Sequence, residues 1–316
     1  MSHKVFVTGA GGFIGANLVH SFLKRGDEVH ILKRPQSVQW RLRDVKSKLK
    51  SHNVEISDQS GILRLIKKIR PEQVFHLAQY GGNPGENDLA IIEKVMIIGT
   101  GAVLNACAET DSVKAVINTG SFLEYGEKHV PIKENMFLRP STAYGCAKAW
   151  ATLYGQYLAK QKNIPITTLR PTFVFGPWQQ PGRFMTNTIL SCLYGKPIKI
   201  SNPKTVRDFI FVDDVVRAFV MAADKPCSGE VINIGFGSQT TLKNIAEIIL
   251  KEAKTEVDIE YNISGRSYDN ANIVWQADIS KAKKLINWNP KFSQKEAIIK
   301  TIKWFNENKN LYKANI

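Results

Sequence analysis

The chain has 316 residues, 43% of them hydrophobic and 22% charged, with 43 Lys and Arg against 28 Asp and Glu, a net charge of +15. These proportions exclude a disordered or low-complexity chain, and the lack of an apolar run of 18 residues predicts no membrane span. The basic residues are scattered without an aromatic-studded stripe, so the charge reads as a solvated surface around an anionic ligand, not as a nucleic-acid face.

Val5 to Thr8 predict a short buried strand, and Gly9, Gly12 and Gly15 turn the chain into a helix through Phe13, Ile14 and on to Leu23. In such a turn Gly9 allows the tight bend, Gly12 lets a pyrophosphate approach the backbone, and Gly15 lets helix and strand pack closely. The phosphate would sit at the helix N-terminus, where free N–H groups and the helix dipole favour an anion. Glu28 to Leu32 form the second strand, ending at Lys33 and Arg34. A dinucleotide-binding fold reads the adenosine ribose at this position. Two cations there suit the 2′-phosphate of NADP(H) and leave no carboxylate for the bare hydroxyl of NAD(H).

Val54 to Asp58 predict a third strand, Ile62 to Ile69 a helix, and Gln73 to Ala78 a fourth strand that opens into the loop from Gln79 to Gly85. A helix from Leu89 to Glu109 and a strand from Ala115 to Thr119 follow. Strands alternating with helices at this spacing predict an α/β, doubly wound parallel sheet, here with seven strands. Ser121 lies just past the fifth strand, and Tyr144 and Lys148 stand one helical turn apart on one face. An ammonium beside a phenol favours phenolate, while a neighbouring serine hydroxyl can hold the oxygen that the phenol protonates. The four cysteines, Cys107, Cys146, Cys192 and Cys227, are widely spaced with no CxxC or Cys/His cluster, which predicts reduced thiols, a cytoplasmic setting and no metal.

With these motifs assembled, the chain resembles the extended short-chain dehydrogenase/reductase family over nearly its whole length. The likeness rests on Thr8-Gly9-x-x-Gly12-x-x-Gly15, His76-Leu77-Ala78, Gly99-Thr100, Ser121, Tyr125-Gly126 and Tyr144-x-x-x-Lys148. It continues through Leu169-Arg170-Pro171, Gly176-Pro177, Arg207 to Val215, Asn233-Ile234-Gly235 and Asp278 to Ala282. The resemblance implies a Rossmann-type sheet domain from 1–175 plus 208–237 and a smaller C-terminal α/β substrate lobe from 176–207 plus 238–316. It makes Ser121, Tyr144 and Lys148 the catalytic triad and assigns cofactor contacts to Glu55, Ile56, Leu77, Ala78, Gln79 and Pro171. Arg207 and Arg266 fall where the family grips a nucleotide-sugar diphosphate, and Gly81, Phe122 and Arg183 complete the substrate wall. The family also implies a homodimer through the helices at 89–109 and 143–161.

Departures from the family pattern narrow the reaction. Phe122 and Leu123 replace residues that carry acid groups in dehydratases, and Glu124 falls one place late. Phe173 and Met96 stand where asparagines are usual. The phosphate grip is therefore not the family's standard one. Lys33 and Arg34, against epimerisation, and Phe122 and Leu123, against dehydration, favour NADPH-dependent reduction of the C4 ketone of a nucleotide-linked 4-keto-6-deoxy sugar, in deoxysugar or polysaccharide precursor synthesis. The alternative is a nucleotide-sugar 4-epimerase; a non-catalytic NADP-binding sensor stands further off.

Overall fold

The computed structural model describes residues 2–34, 39–83, 85–261 and 273–315. Arg266 therefore lies outside the described residues. Six strands build the first part of the sheet: β1 (Lys4–Thr8), β2 (Glu28–Lys33), β3 (Lys50–Asn53), β4 (Gln73–His76), β5 (Ala115–Thr119) and β6 (Ile166–Pro171). Short pieces follow as β7 (Phe173–Phe175), β8 (Ile198–Ile200), β9 (Val206–Arg207) and β10 (Phe209–Phe211), then β11 (Val231–Ile234), β12 (Thr240–Thr241) and β13 (Ile259–Tyr261). The main sheet has seven strands in the order β11-β6-β5-β4-β1-β2-β3. Every pairing in it is parallel. The seven-stranded Rossmann-type sheet expected from the strand–helix alternation is thus present.

The central strands are buried on both faces because helices cover both; β4, β5 and β6 are buried at every position. The helices are α1 (Phe13–Arg25), α2 (Gln59–Ile69), α3 (Leu89–Ala108), α4 (Ala143–Lys162) and α5 (Phe184–Tyr194), then α6 (Val212–Asp224), α7 (Leu242–Ala253), α8 (Ser280–Ile286) and α9 (Gln294–Glu307). One core cluster joins α1 and β1 to α5, α6, α7 and α9, while a second fills the other side of the sheet between α2, α3 and the end of α4.

Two expectations are corrected. The third strand is Lys50–Asn53, not Val54 to Asp58: a polar edge strand with half its neighbours missing carries no apolar signature. The fourth strand stops at His76, where Thr8 Oγ1 takes the next two N–H groups. Residues Glu93–Ile98 within α3 run as a π-helix, and an 18-residue window of α3 has a mean hydropathy of 1.6, 44% of it buried. α3 is long and apolar enough, by length and composition alone, to cross a membrane, and here its buried face packs in the core beside α2 and the end of α4.

Candidate active site

The carboxyl ends of β1, β4, β5 and β6 open into a cleft of about 1180 Å³. Its floor at one end is the turn Gly9–Gly15. Gly9 has φ +69°, and a Cβ there would fall 2.5 Å from the Leu77 carbonyl. A Cβ on Gly15 would fall 2.2 Å from the Gly9 oxygen. These two glycines let α1 start tight against the β1 and β4 ends. Gly12 caps α1 without any side-chain bond, so the first N–H groups of the helix, at Phe13 and Ile14, face the cleft. That is the cradle a dinucleotide pyrophosphate fits, and the residues present suit an NAD(P) group.

Beneath this turn lies a polar chain that the sequence motif only hinted at. Thr8 Oγ1 accepts from the N–H groups of Leu77 and Ala78 at 3.2 Å and lies 2.8 Å from His76 Nδ1. His76 Nε2 is 2.9 Å from Thr100 Oγ1. Burial, with the nearby Lys148 charge, pushes the His76 imidazole down to about 3, so it is a neutral strut. The chain fixes Leu77 and Ala78, both of which line the cleft.

Arg34, Ile56, Gln79 and Pro171 also line the cleft. Lys33 is the half-buried last residue of β2, one place short of that lining, and Glu55 turns outward, 3.9 Å from Lys94 Nζ. Val54 and Ile56 face the cleft around it.

Ser121, Tyr144 and Lys148 come together at the ends of β5 and α4. Thr142 caps α4 by accepting from Gly145 N at 3.0 Å, and Tyr144 follows directly. The Tyr144 hydroxyl donates to Gln79 Oε1 at 2.9 Å. Burial pushes this phenol above its ordinary value, opposed by a hydrogen bond with Ser121 and by the Arg183 charge. Lys148, 2% exposed, donates to the Thr119 carbonyl at 2.7 Å and sits 5.8 Å from the Tyr144 ring centre. Its ammonium is pushed down to about 8 by burial, against the pull of Glu124. Lys148 thus meets the Tyr144 ring and the Thr119 carbonyl, and burial outweighs its charge at the phenol hydroxyl.

Glu124 answers the question its shifted position raised. Residues Phe122–Glu124 form a 3₁₀ turn, not a strand, and Glu124 points away from the cleft into a fully buried site. Its carboxylate accepts from Arg170 Nη2 at 2.6 Å, Arg170 Nε at 2.8 Å, Thr152 Oγ1 at 2.8 Å and Ser121 N at 2.7 Å. It is a strut behind Ser121. Among the described residues Glu86 is the acid that lines the cleft, and it is engaged by the N–H groups of Gly81 and Asn83 and by the Asn83 side chain.

The far wall holds Phe122, Phe173, Arg183 and Arg207. Arg183 donates to the Gly82 carbonyl and to Asn83 Oδ1, and Gln180 Nε2 donates to the same oxygen at 2.6 Å, tying the loop that carries Gly81 to the segment after β7. Arg207, 3% exposed, lies 4.8 Å over the Phe173 ring and 5.7 Å from that of Trp275. Its neighbour Asp208 instead accepts from the N–H groups of Phe236, Gly237 and Ala277. Arg266 lies outside the described residues.

The strand order, the glycine turn at the carboxyl edge and the helices on both faces define a Rossmann-type α/β protein. A family model described as the NAD dependent epimerase/dehydratase family matches residues 5–235. The chain belongs to that family. It is 29% identical to the UDP-glucuronate 4-epimerase of Thermodesulfobacterium geofontis, over 98% of each chain. A solved UDP-glucose 4-epimerase of Thermotoga maritima, holding UDP-glucose, superimposes with a TM-score of 0.88 at 28% identity, covering 96% of this chain and 99% of that one. A UDP-glucuronic acid 4-epimerase of Bacillus cereus, in complex with UDP-glucuronic acid and NAD, gives a TM-score of 0.84 at 26% identity, with coverage of 96% and 99%. This is an enzyme family acting on nucleotide sugars, and of the two readings drawn from the sequence these relatives support the 4-epimerase over ketone reduction.

Proposed function

We propose that the protein is an NAD(P)-dependent nucleotide-sugar 4-epimerase. The observation that carries this reading is the acid–base set of the cleft: Tyr144 and Ser121 line it in hydrogen-bond contact, Lys148 lies against the Tyr144 ring, and Glu124 is withdrawn behind Ser121. Elimination of water needs a second acid beside the sugar, and this set offers proton transfer at a single oxygen. A bound nicotinamide would supply the hydride acceptor and donor. Tyr144 then takes the proton from the sugar C4 hydroxyl and returns it after the ketone has turned over in the cleft. Ser121 Oγ holds that oxygen, Lys148 offers its charge to the phenolate as it forms, and Arg207 and Arg183 supply guanidinium forks toward the diphosphate. The substrate lobe takes 176–207 and 238–316 in this reading, and α3 and α4 pair two copies.

A second reading is net reduction of a 4-keto sugar by NADPH. Lys33 and Arg34, cations at the end of β2, favour it, because a reductase draws its cofactor from the NADPH pool. The test is stoichiometry. Purified enzyme is given UDP-glucose, UDP-glucuronic acid and 4-keto-6-deoxy nucleotide sugars, with product sugars resolved by chromatography and NADPH followed by absorbance. Interconversion of two hydroxy sugars without net cofactor use, reduced about 10²–10⁴-fold in Tyr144→Phe, is expected. One NADPH consumed per ketone reduced would establish the second reading instead.

A further inference from the structure

Arg41 was not singled out by any motif, yet it is 8% exposed and lines the dinucleotide end of the cleft. It belongs to the short 3₁₀ turn Trp40–Leu42 that follows β2. Its guanidinium lies 4.4 Å over the Trp40 ring. Nη1 donates to the Gly11 carbonyl at 3.0 Å, inside the glycine turn itself. Nε donates to the Trp178 carbonyl at 2.8 Å, and Nη2 reaches Gln180 Oε1 at 3.4 Å. Every one of these acceptors is neutral. Among the described residues no carboxylate pairs with Arg41; the acid nearest in sequence, Asp44, sits 4.0 Å from His20 instead. A guanidinium has five N–H donors, and these three bonds leave two of them.

A buried cation held only by neutral dipoles is costly unless something anionic completes it. Burial shows in the group itself, which desolvation pushes down to about 10. The glycine turn and the start of α1 beside it are built for an anion. We infer that Arg41 is a cofactor-binding residue whose free N–H donors take a phosphate of the adenine dinucleotide. Arg34 lines the same cleft and leaves the adenosine side doubly basic. The inference rests on the reading that the cleft binds NAD(P). The dinucleotide presents two phosphate groups here, the pyrophosphate shared by both cofactors and the 2′-phosphate of NADP alone.

The experiment is calorimetric titration of wild type and Arg41→Gln with NADPH and with NADH, repeated at three salt concentrations. A loss of tenfold or more in NADPH affinity is expected, with a shallower dependence of log Kd on log salt in the variant. A loss confined to NADPH assigns Arg41 to the 2′-phosphate, and an equal loss with NADH assigns it to the pyrophosphate; both support the inference. A latch that merely held the Trp178 turn would lower Tm and leave the salt slope alone, and that result overturns it. Should Arg41→Gln not fold, Arg41→Lys keeps the charge without the fork; a loss of threefold or more is then expected, and undiminished affinity overturns the inference. Wild-type protein that binds neither dinucleotide would defeat the cofactor reading itself, whereas wild-type binding that Arg41→Gln leaves unchanged defeats this inference alone.

Discussion

Removal of the Glu124 carboxylate separates a strut from a proton carrier. Glu124→Ala would strand Arg170, itself 2% exposed, with its counter-charge gone, and would leave the Thr152 hydroxyl and the Ser121 N–H without their acceptor. Breaking one side of a buried pair costs about 3–5 kcal/mol. At about 2 cal/mol/K of unfolding entropy per residue, that is a fall in Tm of about 5–8 °C for a chain of this length. Differential scanning calorimetry reads the loss directly. The double variant Glu124→Met with Arg170→Leu, which removes both charges and keeps volume, should recover much of it. Cofactor binding in Glu124→Ala should weaken modestly, since the carboxylate touches the backbone of Ser121 and not the cleft. A Glu124→Ala protein with wild-type Tm and no turnover would refute this reasoning, because the carboxyl would then belong to the chemistry.

Three other outcomes are expected. Lys148 falls from its ordinary 10.5 to about 8 in the folded protein; between those values the unfolded chain holds the proton and the folded one does not, so stability rises with pH across that window. Lys148→Met lacks this rise, and its stability advantage over wild type, read by urea denaturation, should shrink by up to about 3 kcal/mol from pH 8 to 10.5; a constant difference would refute the shift. Wild type should prefer NADPH over NADH by roughly 2–4 kcal/mol, with the preference lost in Lys33→Asp plus Arg34→Asn; equal wild-type affinities in titration calorimetry would count against it. On α3 and α4, Leu89, Leu153 and Tyr157 are 67%, 57% and 57% exposed, so light scattering at micromolar concentration should show a dimer that Leu153→Glu with Tyr157→Glu converts to monomer.

The residues that could be read without coordinates are those whose role is set by local spacing. The glycine turn, the Tyr144–Lys148 helical pair and the alternation of β1, α1 and β2 each leave a short-range signature in sequence. What could not be read depended on partners far along the chain. Arg41 bonds residues 30, 137 and 139 positions away, and no window around Trp40 contains Gly11, Trp178 or Gln180. The one-place displacement of Glu124 is legible in the sequence, but its physical outcome is not: a capped 3₁₀ turn rotates it toward Arg170. The edge strand β3 escaped because Lys50, Ser51, His52 and Asn53 have only one sheet neighbour to satisfy. The bonds of Lys148 were not legible because adjacency on a helix says nothing of where the ammonium's donors go, here to Thr119.

The placement of β11 also bears on how the polypeptide matures on the ribosome. β6 has its second edge paired only by β11, and the two are separated in the chain by the whole excursion through α5 and α6. Until Val231–Ile234 emerges, Ile166–Pro171 presents an unpaired backbone edge able to pair with another nascent chain. A truncation after residue 175 would keep that edge permanently open, so residues 1–175 made alone should be captured by chaperones or aggregate. Appending residues 208–237 through a short linker would supply both α6 and the missing strand.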